Sequence, residues 1–349
     1  MVLVLGLAAA LWGIGRLAGV PLRARLLMLG LLYVAVLIVQ IVFPEGHALR
    51  AATGGSKEIW LGVGVLVAIV AGYRVLLGKL RARVRPAVTT APVGLFSDAE
   101  LDRYARHIVL REVGGPGQKA LKQARVLVIG AGGLGSPVLL YLAAAGVGTI
   151  GVIDDDVVDA SNLQRQVIHT DARMGLPKVF SAEEAIRALN PFVTVKPYQR
   201  RLVEADAAEL FADYDLIMDG TDNFETRYMV NRMAVAAGKP LISAAISQWE
   251  GQISLYHPPS GAPCYECVFP KAPAPGLAPT CAEAGVMGAL PGVVGSMMAV
   301  EAIKEITGAG TGLRGRLQIY DALYGENRQI LIRKWDDCPV CGTASGGSI

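Results

Sequence analysis

The chain has 349 residues, 52% of them hydrophobic, and a mean hydropathy of +0.42, which allows more than one domain and is too apolar for a purely soluble protein. Its 33 basic and 30 acidic residues leave a net charge of only +3, and no basic run alternates with aromatic residues. These features argue against nucleic acid as a partner and predict that part of the chain lies in a membrane.

Two long apolar stretches lie near the N-terminus. Residues 26–43 contain one polar side chain, Gln40, and residues 59–77 contain one charge, Arg74. As helices each would be about 27 Å long, close to the thickness of the hydrocarbon core of a bilayer. Buried core helices are the alternative, but neither stretch has a polar face. We therefore predict a membrane anchor over residues 1–85 with two or three transmembrane helices, in which residues 1–14 are a third span, a signal-peptide core or an interfacial helix.

Positive charge predicts the orientation of this anchor. The loop of residues 44–58 is nearly neutral, whereas basic residues precede the first stretch and follow the second: Arg16, Arg23, Arg25, Lys79, Arg81, Arg83 and Arg85. Basic flanks stay in the cytoplasm, so we expect a multi-pass protein of the inner membrane with both flanks in the cytoplasm. Residues 86–94, with prolines at 86 and 92, are predicted to be a linker to a cytoplasmic domain.

Beyond the linker, short β-branched runs alternate with helical segments. Ser97 and Glu100 form a capping-box pattern at the start of a helix that runs to about residue 110. Strands are predicted at residues 125–129, 149–153, 194–197, 216–218 and 240–243, with enough chain between them for crossover helices. This spacing predicts a doubly wound, Rossmann-like α/β fold with a mainly parallel sheet. Residues 343–349 are expected to be a disordered tail.

A glycine-rich turn joins the first predicted strand to a helix. Its glycines are Gly130, Gly132, Gly133 and Gly135. Such a turn lets backbone amides and a helix N-terminus approach a phosphate chain. Asp154, at the end of the next strand, is placed to bind a ribose hydroxyl. These features alone do not separate a dinucleotide oxidoreductase from other nucleotide-binding enzymes.

The following segments favour a different class of enzyme. Residues 154–166 read Asp-Asp-Asp-Val-Val-Asp-Ala-Ser-Asn-Leu-Gln-Arg-Gln, and further motifs lie at residues 175–178, 219–223, 250–252 and 281–285. In these motifs, and in two C-x-x-C pairs, the chain closely resembles the MoeB/ThiF family of ubiquitin-activating-enzyme-like adenylyltransferases. The resemblance covers residues 95–342. It implies a domain that uses ATP and Mg²⁺.

Adenylylation joins a carboxylate to the α-phosphate of ATP and expels pyrophosphate, so cations at fixed positions are its main requirement. By resemblance, Arg165 and Lys178 match the family residues that contact the triphosphate. Asn162 and Gln166 lie in the same phosphate-contacting segment. For Arg165 taken alone, a surface ion pair is the alternative.

Two further residues take their expected roles from the same resemblance. Asp222 matches the family aspartate that binds Mg²⁺, where a metal would neutralise the leaving pyrophosphate. Taken alone, Asp222 could instead cap the helix that follows. Arg106 matches an arginine that reaches into the active site of a neighbouring subunit, which implies a homodimer.

Four of the five cysteines form two C-x-x-C pairs about 70 residues apart. They are Cys264, Cys267, Cys338 and Cys341. Four thiolates are the ligand set of a closed structural Zn²⁺ site, which would tie the C-terminus back to the first pair. Two disulfides are the alternative, although a nucleotide-using domain in the reducing cytoplasm argues against them.

The fifth cysteine, Cys281, lies in a segment rich in proline and glycine that should cross the active face of the sheet. By resemblance, it matches the position at which ThiF-like members form a covalent sulfur linkage to their carrier. MoeB-like members carry a cysteine there without depending on covalent chemistry. A nucleophile and an inert thiol are both open.

The resemblance to the MoeB/ThiF family implies ATP-dependent adenylylation of the C-terminal glycine of a small ubiquitin-like sulfur-carrier protein that ends in Gly-Gly, with sulfur transfer through Cys281 as a later step. The alternatives are an adenylyltransferase for another carboxylate or a tRNA base, a non-catalytic membrane scaffold for ubiquitin-like proteins, and a nicotinamide dehydrogenase. The presence of Arg165, Lys178 and Asp222 argues against a scaffold that has lost catalytic activity.

Overall fold

A computed structural model describes residues 2–54, 56–83, 94–274 and 284–342 of the chain. The chain divides into two compact units, residues 1–91 and residues 92–349. The predicted linker, the segment with Cys281 and the predicted disordered tail lie outside the described residues, apart from residue 94 of the linker.

The described part of the N-terminal unit is helical, with α1 (Val2–Leu17), α2 (Leu22–Val42), α3 (Ala48–Thr53) and α4 (Lys57–Arg83). On α2, the Tyr33 hydroxyl donates a 2.7 Å hydrogen bond to the carbonyl oxygen of Trp60 on α4. Gly64 makes room for this tyrosine, because a Cβ at Gly64 would lie 2.1 Å from the Tyr33 hydroxyl oxygen. A small residue thus lets the two long helices pack closely.

The surface of this unit is apolar and its interior holds a polar cluster. Gln40 is buried, and its amide nitrogen donates to the hydroxyl of Thr53 at 2.8 Å while its amide oxygen accepts from Nε of Arg50 at 3.2 Å. Large apolar side chains are exposed along α2 and α4, among them Leu26, Leu27, Leu31, Ile38, Ile41, Leu61, Val65, Leu66, Val67 and Ile69.

Among the described residues, one helical segment, Ala24–Val42, is long and apolar enough by composition to cross a membrane. It overlaps the first predicted span. The described part of α4, which contains the predicted second span, gives no further candidate, and the possible third span lies in α1, a shorter apolar helix. The structure thus gives weak support for one span, and the multi-pass anchor and its orientation stay predictions.

The second unit is built on one eight-stranded sheet with the order β3-β2-β1-β4-β5-β6-β7-β8. Neighbours among the first five strands pair in parallel, and the last three strands are antiparallel additions. The strands are β1 (Arg125–Ile129), β2 (Thr149–Ile153), β3 (Thr194–Tyr198), β4 (Leu216–Asp219), β5 (Leu241–Ile246), β6 (Glu250–Tyr256), β7 (Arg316–Asp321) and β8 (Glu326–Leu331). The prediction of a doubly wound, mainly parallel sheet is confirmed.

Helices cover both faces of this sheet, as the buried parallel strands require. They are α5 (Asp98–Ile108), α6 (Gly114–Gln123), α7 (Gly135–Ala145), α8 (Lys178–Leu189), α9 (Glu204–Ala212), α10 (Phe224–Ala236), α11 (Tyr265–Val268) and α12 (Leu290–Thr307). One core contains α7, α8 and α12, and the other contains α9 and α10. The capping box predicted at Ser97 and Glu100 is present at the start of α5.

The hairpin of β7 and β8 at the sheet edge was not predicted. Every residue of β8 is exposed, so β8 has no alternation of buried and exposed side chains. A strand without that alternation carries no periodic signal in the sequence.

The contact between α12 and α7 depends on Gly295. A Cβ at Gly295 would lie 2.4 Å from Cγ of Pro137 and 2.5 Å from the carbonyl oxygen of Leu134, whereas a Cβ at Gly292 on the same helix has no atom within 4 Å. We expect Gly295→Ala to destabilise the protein by about 1–3 kcal/mol through overpacking. Gly292→Ala is the matched control and should stabilise the helix by about 0.5–1 kcal/mol. Thermal unfolding of both variants checks this, and equal midpoints would contradict it.

Candidate active site

A cavity of about 830 Å³ opens at the carboxyl ends of the parallel strands. It lies where the strand order reverses between β1 and β4, the usual place for a ligand in a doubly wound sheet. The structure brings together there eight of the residues predicted from the sequence: Gly130, Gly132, Gly133, Asp154, Arg165, Gln166, Lys178 and Asp222.

The glycine-rich turn is closed by contacts that exclude side chains. Gly130 has φ +93°, and a Cβ there would lie 3.3 Å from the carbonyl oxygen of Gly220. A Cβ at Gly135 would lie 1.9 Å from the carbonyl oxygen of Gly130. Gly135 is buried and does not line the cavity. Its lack of a side chain allows the first residue of α7 to pack directly against the turn. The N-terminus of α7 thereby lies beside the cavity, where it favours negative charge.

Asp154 is held by two backbone amides. Its Oδ2 accepts from the amide of Ala131 at 2.8 Å, and its Oδ1 accepts from the amide of Asp156 at 2.8 Å. Burial raises the pKa of Asp154, against the opposing effects of the Ala131 amide and the Lys178 charge. The carboxylate is thus fixed in orientation, and each oxygen keeps a lone pair for a further donor such as a hydroxyl.

Lys178 is the first residue of α8 and is buried in the cavity wall. Its Nζ donates at 2.7 Å to Oδ2 of Asp156, whose side chain is 67% exposed. An exposed carboxylate is a weak partner because water screens it. The ammonium can therefore turn to a ligand phosphate without leaving a buried acid unpaired.

Arg165 is oriented by hydrogen bonds. It donates to the amide oxygen of Asn162 at 2.6 Å and to the carbonyl oxygen of Ser161 at 3.3 Å. Within the described residues it makes no ion pair, so the surface ion-pair interpretation is not supported. Asn162 does not line the cavity, and its observed contact is to Arg165.

Gln166 is buried beside Gly132, and its amide oxygen has no hydrogen-bond partner in the described part of the chain. A buried oxygen of this kind costs about 1–3 kcal/mol when it stays unpaired. Because Gln166 lines the cavity, a bound ligand could satisfy this oxygen.

Asp222 is exposed at the cavity, and the structure gives it no hydrogen bond or ion pair among the described residues. The helix cap before α10 is made by Asn223, whose Oδ1 accepts from the amide of Thr226 at 2.8 Å. The interpretation of Asp222 as a helix cap is therefore wrong. Its carboxylate is available to a cation.

A buried network that the sequence did not reveal holds the loop of Asp222. Asp219 is fully buried and accepts from the Thr221 hydroxyl at 2.6 Å and the Ser243 hydroxyl at 2.8 Å. Arg227, buried on α10, donates to the carbonyl oxygens of Thr221 at 2.5 Å and Ala244 at 2.8 Å. Asp219 ends a predicted strand and Arg227 lies in the helix that follows. This short separation is the sequence signal that could have indicated a contact between the two residues.

Besides Gly135 and Asn162, two more predicted residues are not among the described residues that line the cavity. Arg106 is exposed on α5 and does not line it. Cys281 lies outside the described residues. Ala284 and Gly285, which follow closely, do line the cavity, and the Ala284 carbonyl oxygen accepts from Nε2 of Gln248 at 2.6 Å.

The four paired cysteines form one cluster and do not themselves line the cavity. Their sulfurs are 3.8 Å apart for Cys264 and Cys267, 3.6 Å for Cys264 and Cys338, and 3.4 Å for Cys267 and Cys341. All four are free thiols, so the disulfide alternative is not supported. Burial, with the neighbouring Cys267, raises the pKa of Cys264, and a bound cation would favour the thiolate of that cysteine. Sulfurs around tetrahedral zinc lie about 3.8 Å apart, and the cluster could bind zinc.

Three relatives match most of the chain. The chain is 52% identical over 251 residues to the sulfur carrier protein adenylyltransferase of Thermus thermophilus, covering 71% of this chain and 93% of that one. It is 48% identical over 250 residues to the SAMP-activating enzyme E1 of Haloferax volcanii, covering 72% and 92%. It is 53% identical over 251 residues to the probable adenylyltransferase/sulfurtransferase MoeZ of Mycobacterium tuberculosis, covering 71% of this chain but 64% of MoeZ.

Solved structures and a family model agree with this. The crystal structure of Escherichia coli MccB with MccA-N7isoASN has a TM-score of 0.62 at 23% identity, covering 69% of this chain and 75% of that one, which shows the shared fold. The model of the ThiF family matches residues 104–340. The predicted family is therefore confirmed, and the chain belongs to the ThiF family.

Proposed function

We propose that this protein is an adenylyltransferase that uses ATP to activate the C-terminal glycine carboxylate of a small ubiquitin-like sulfur carrier. The observation that carries the proposal is the presence of Arg165, Lys178 and Asp222 around one cavity at the glycine-rich turn. The Thermus thermophilus relative, which this chain matches over most of that protein's length, is named for this activity. A hydride-transfer enzyme needs no such set of phosphate-binding charges, and a scaffold needs no cavity that binds nucleotide.

In the proposed reaction, the carrier carboxylate attacks the α-phosphorus in line while the bond to the pyrophosphate oxygen breaks. Negative charge grows on the leaving pyrophosphate and on the non-bridging oxygens. Lys178, Arg165 and the amides at the N-terminus of α7 are placed to stabilise that charge. Asp154 would hold the ribose hydroxyls. These residues act by position and charge, so no covalent enzyme intermediate is required for this step.

The proposal includes Mg²⁺, which would bind to the carboxylate of Asp222, a group without a partner among the described residues. The metal would supply neutralisation of the pyrophosphate charge. The proposal also includes a structural Zn²⁺ ion, which the four clustered cysteines would bind. A four-thiolate set leaves no open coordination position, so its role is to stabilise the fold.

The homodimer and the later sulfur step remain proposals that rest on the family resemblance. Arg106 is exposed, as a residue that serves the active site of a second copy would have to be. Cys281 would act after adenylylation, when sulfur from a separate donor attacks the activated carboxylate and AMP leaves. The cavity reaches from the glycine-rich turn to Ala284 and Gly285, and the Gly-Gly terminus of a carrier protein would lie along it.

Residues 1–85 are proposed to anchor the enzyme to the inner membrane, with residues 86–94 as a linker and the domain of residues 95–342 in the cytoplasm. The apolar side chains exposed on α2 and α4 support this, because water would solvate such a surface poorly. The cytoplasm supplies ATP and keeps cysteine thiols reduced, and the proposed enzyme requires both.

The reaction is tested by exchange of labelled pyrophosphate into ATP in the presence of the carrier. Arg165→Ala and Asp222→Ala should each lower the exchange rate at least about a hundredfold, because each loss removes on the order of 3 kcal/mol of charge stabilisation. Arg187→Ala is the matched control, since this exposed arginine on α8 pairs with Glu183 away from the cavity. Near-normal exchange in both test variants would refute the assigned site.

Metal content tests the zinc proposal. The fragment from residue 95 should contain about one zinc per chain and should lose thermal stability on chelation or with Cys338→Ser, because ligand bonds contribute folding energy. Cys281→Ser is the matched control: it should keep its zinc and its pyrophosphate exchange. Metal-free protein with full stability would rule the proposal out.

Membrane fractionation tests the anchor. The full chain should pellet with membranes and resist carbonate extraction, whereas the fragment from residue 95 should be soluble and active in exchange. A full chain that stays in the soluble fraction would contradict an anchor.

Orientation is checked with single cysteine reporters at Gly55 and Thr90, of which only Gly55 should react with an impermeant reagent added from outside.

A further inference from the structure

His169 is a buried residue with no part in the reaction as proposed so far. Each ring nitrogen makes one 2.9 Å contact, Nε2 with the carbonyl oxygen of Ala131 and Nδ1 with the hydroxyl oxygen of Ser181. A carbonyl oxygen can only accept, so Nε2 carries the proton and donates it, while the Ser181 hydroxyl donates to Nδ1. Burial lowers the pKa of His169, and the charges of Lys178 and Arg173 act in the same direction, which favours this neutral form.

The contact with Ala131 fixes the middle of the glycine-rich turn. The amide of Ala131 donates to Oδ2 of Asp154 at 2.8 Å, and its carbonyl oxygen accepts from His169. Its neighbours Gly130 and Gly132 have no side chains that could hold the backbone. The turn is therefore clamped at one residue by hydrogen bonds on both sides.

The contact with Ser181 joins the turn to a second phosphate-binding element. Ser181 is fully buried on α8, three residues after Lys178, so both lie on the same side of that helix. Its carbonyl oxygen also accepts from Arg173 at 2.9 Å. One imidazole thus connects the backbone that would surround the phosphates to the helix that carries the buried lysine.

We propose that His169 is a positioning residue for ATP, which holds the glycine-rich turn and the Lys178 helix in the register that a triphosphate requires. His169 does not line the cavity, so it acts through the Ala131 carbonyl and through α8 and never through contact with the nucleotide. The inference rests on the proposed use of ATP and goes beyond it, since it assigns a role to a residue outside the cavity.

Two amide substitutions separate the two hydrogen bonds. The side-chain nitrogen of glutamine reaches about the position of Nε2, whereas that of asparagine reaches about that of Nδ1. H169Q should keep the donor to Ala131 and bind Mg·ATP within about threefold of the native protein. H169N should lose that donor and bind Mg·ATP about tenfold more weakly, as measured by titration calorimetry without carrier. In exchange assays H169N should raise the KM for ATP more than it lowers kcat.

His257→Asn is the matched control, because His257 also contacts a carbonyl oxygen, that of Gly238, and lies outside the cavity lining. It should leave ATP binding unchanged. If H169N and H169Q bind ATP alike, or if H169N lowers only thermal stability, the inference is wrong. Should H169N not fold, S181A decides: about threefold weaker binding supports the inference, and native binding overturns it. Failure of the native protein to bind ATP would refute the proposed function itself.

Discussion

The close approach of three backbone segments at the carboxyl ends of β1 and β4 is the constraint on which the rest of the active site depends. The turn after β1 passes so near the turn after β4 that Gly130 faces the Gly220 carbonyl, and α7 must begin at Gly135 with no room for a Cβ. Gly295 lets α12 pack against the same turn of α7, at the Leu134 carbonyl. These contacts point the positive end of a helix at the place where phosphate charge would gather.

Charged groups around this turn differ in how firmly they are held, and the difference fits their tasks. Asp219 and Arg227 are buried and bonded to neighbouring backbone or hydroxyl groups, so removing either would leave an unpaired buried group. Lys178 pairs with an exposed acid, and Asp222 with no described residue. Asp219 and Arg227 shape the loop, while Lys178 can exchange its weak partner for a ligand and Asp222, at the exposed edge of the cavity, can exchange water for one.

The sequence predicted what local pattern and motif spacing determine. All five parallel strands were found, because runs of β-branched residues and the helices between them are local signals, and the glycine turn with its charged partners was recognisable from motifs. The sequence could not reveal that Asn162 orients Arg165, that Asn223 makes the cap beside Asp222, or that Arg227 is buried. Such facts depend on which segments meet after folding. A lone histidine such as His169 gives no pattern at all before its two partners are known.

The two units differ in where their apolar side chains lie. This difference supports our proposal that the first unit is a membrane anchor and the second is the catalytic domain. In the second unit apolar residues fill two cores on either side of a sheet, and charges surround a cavity open to water. In the first, many apolar side chains face outward, while the buried Gln40 bonds to the half-buried Arg50 and Thr53. Polar groups that satisfy each other within an apolar surface are what a helix pair needs where water is absent. Water would solvate poorly the apolar side chains that the described parts of α2 and α4 expose, which is the physical argument for the lipid environment that we propose around this unit.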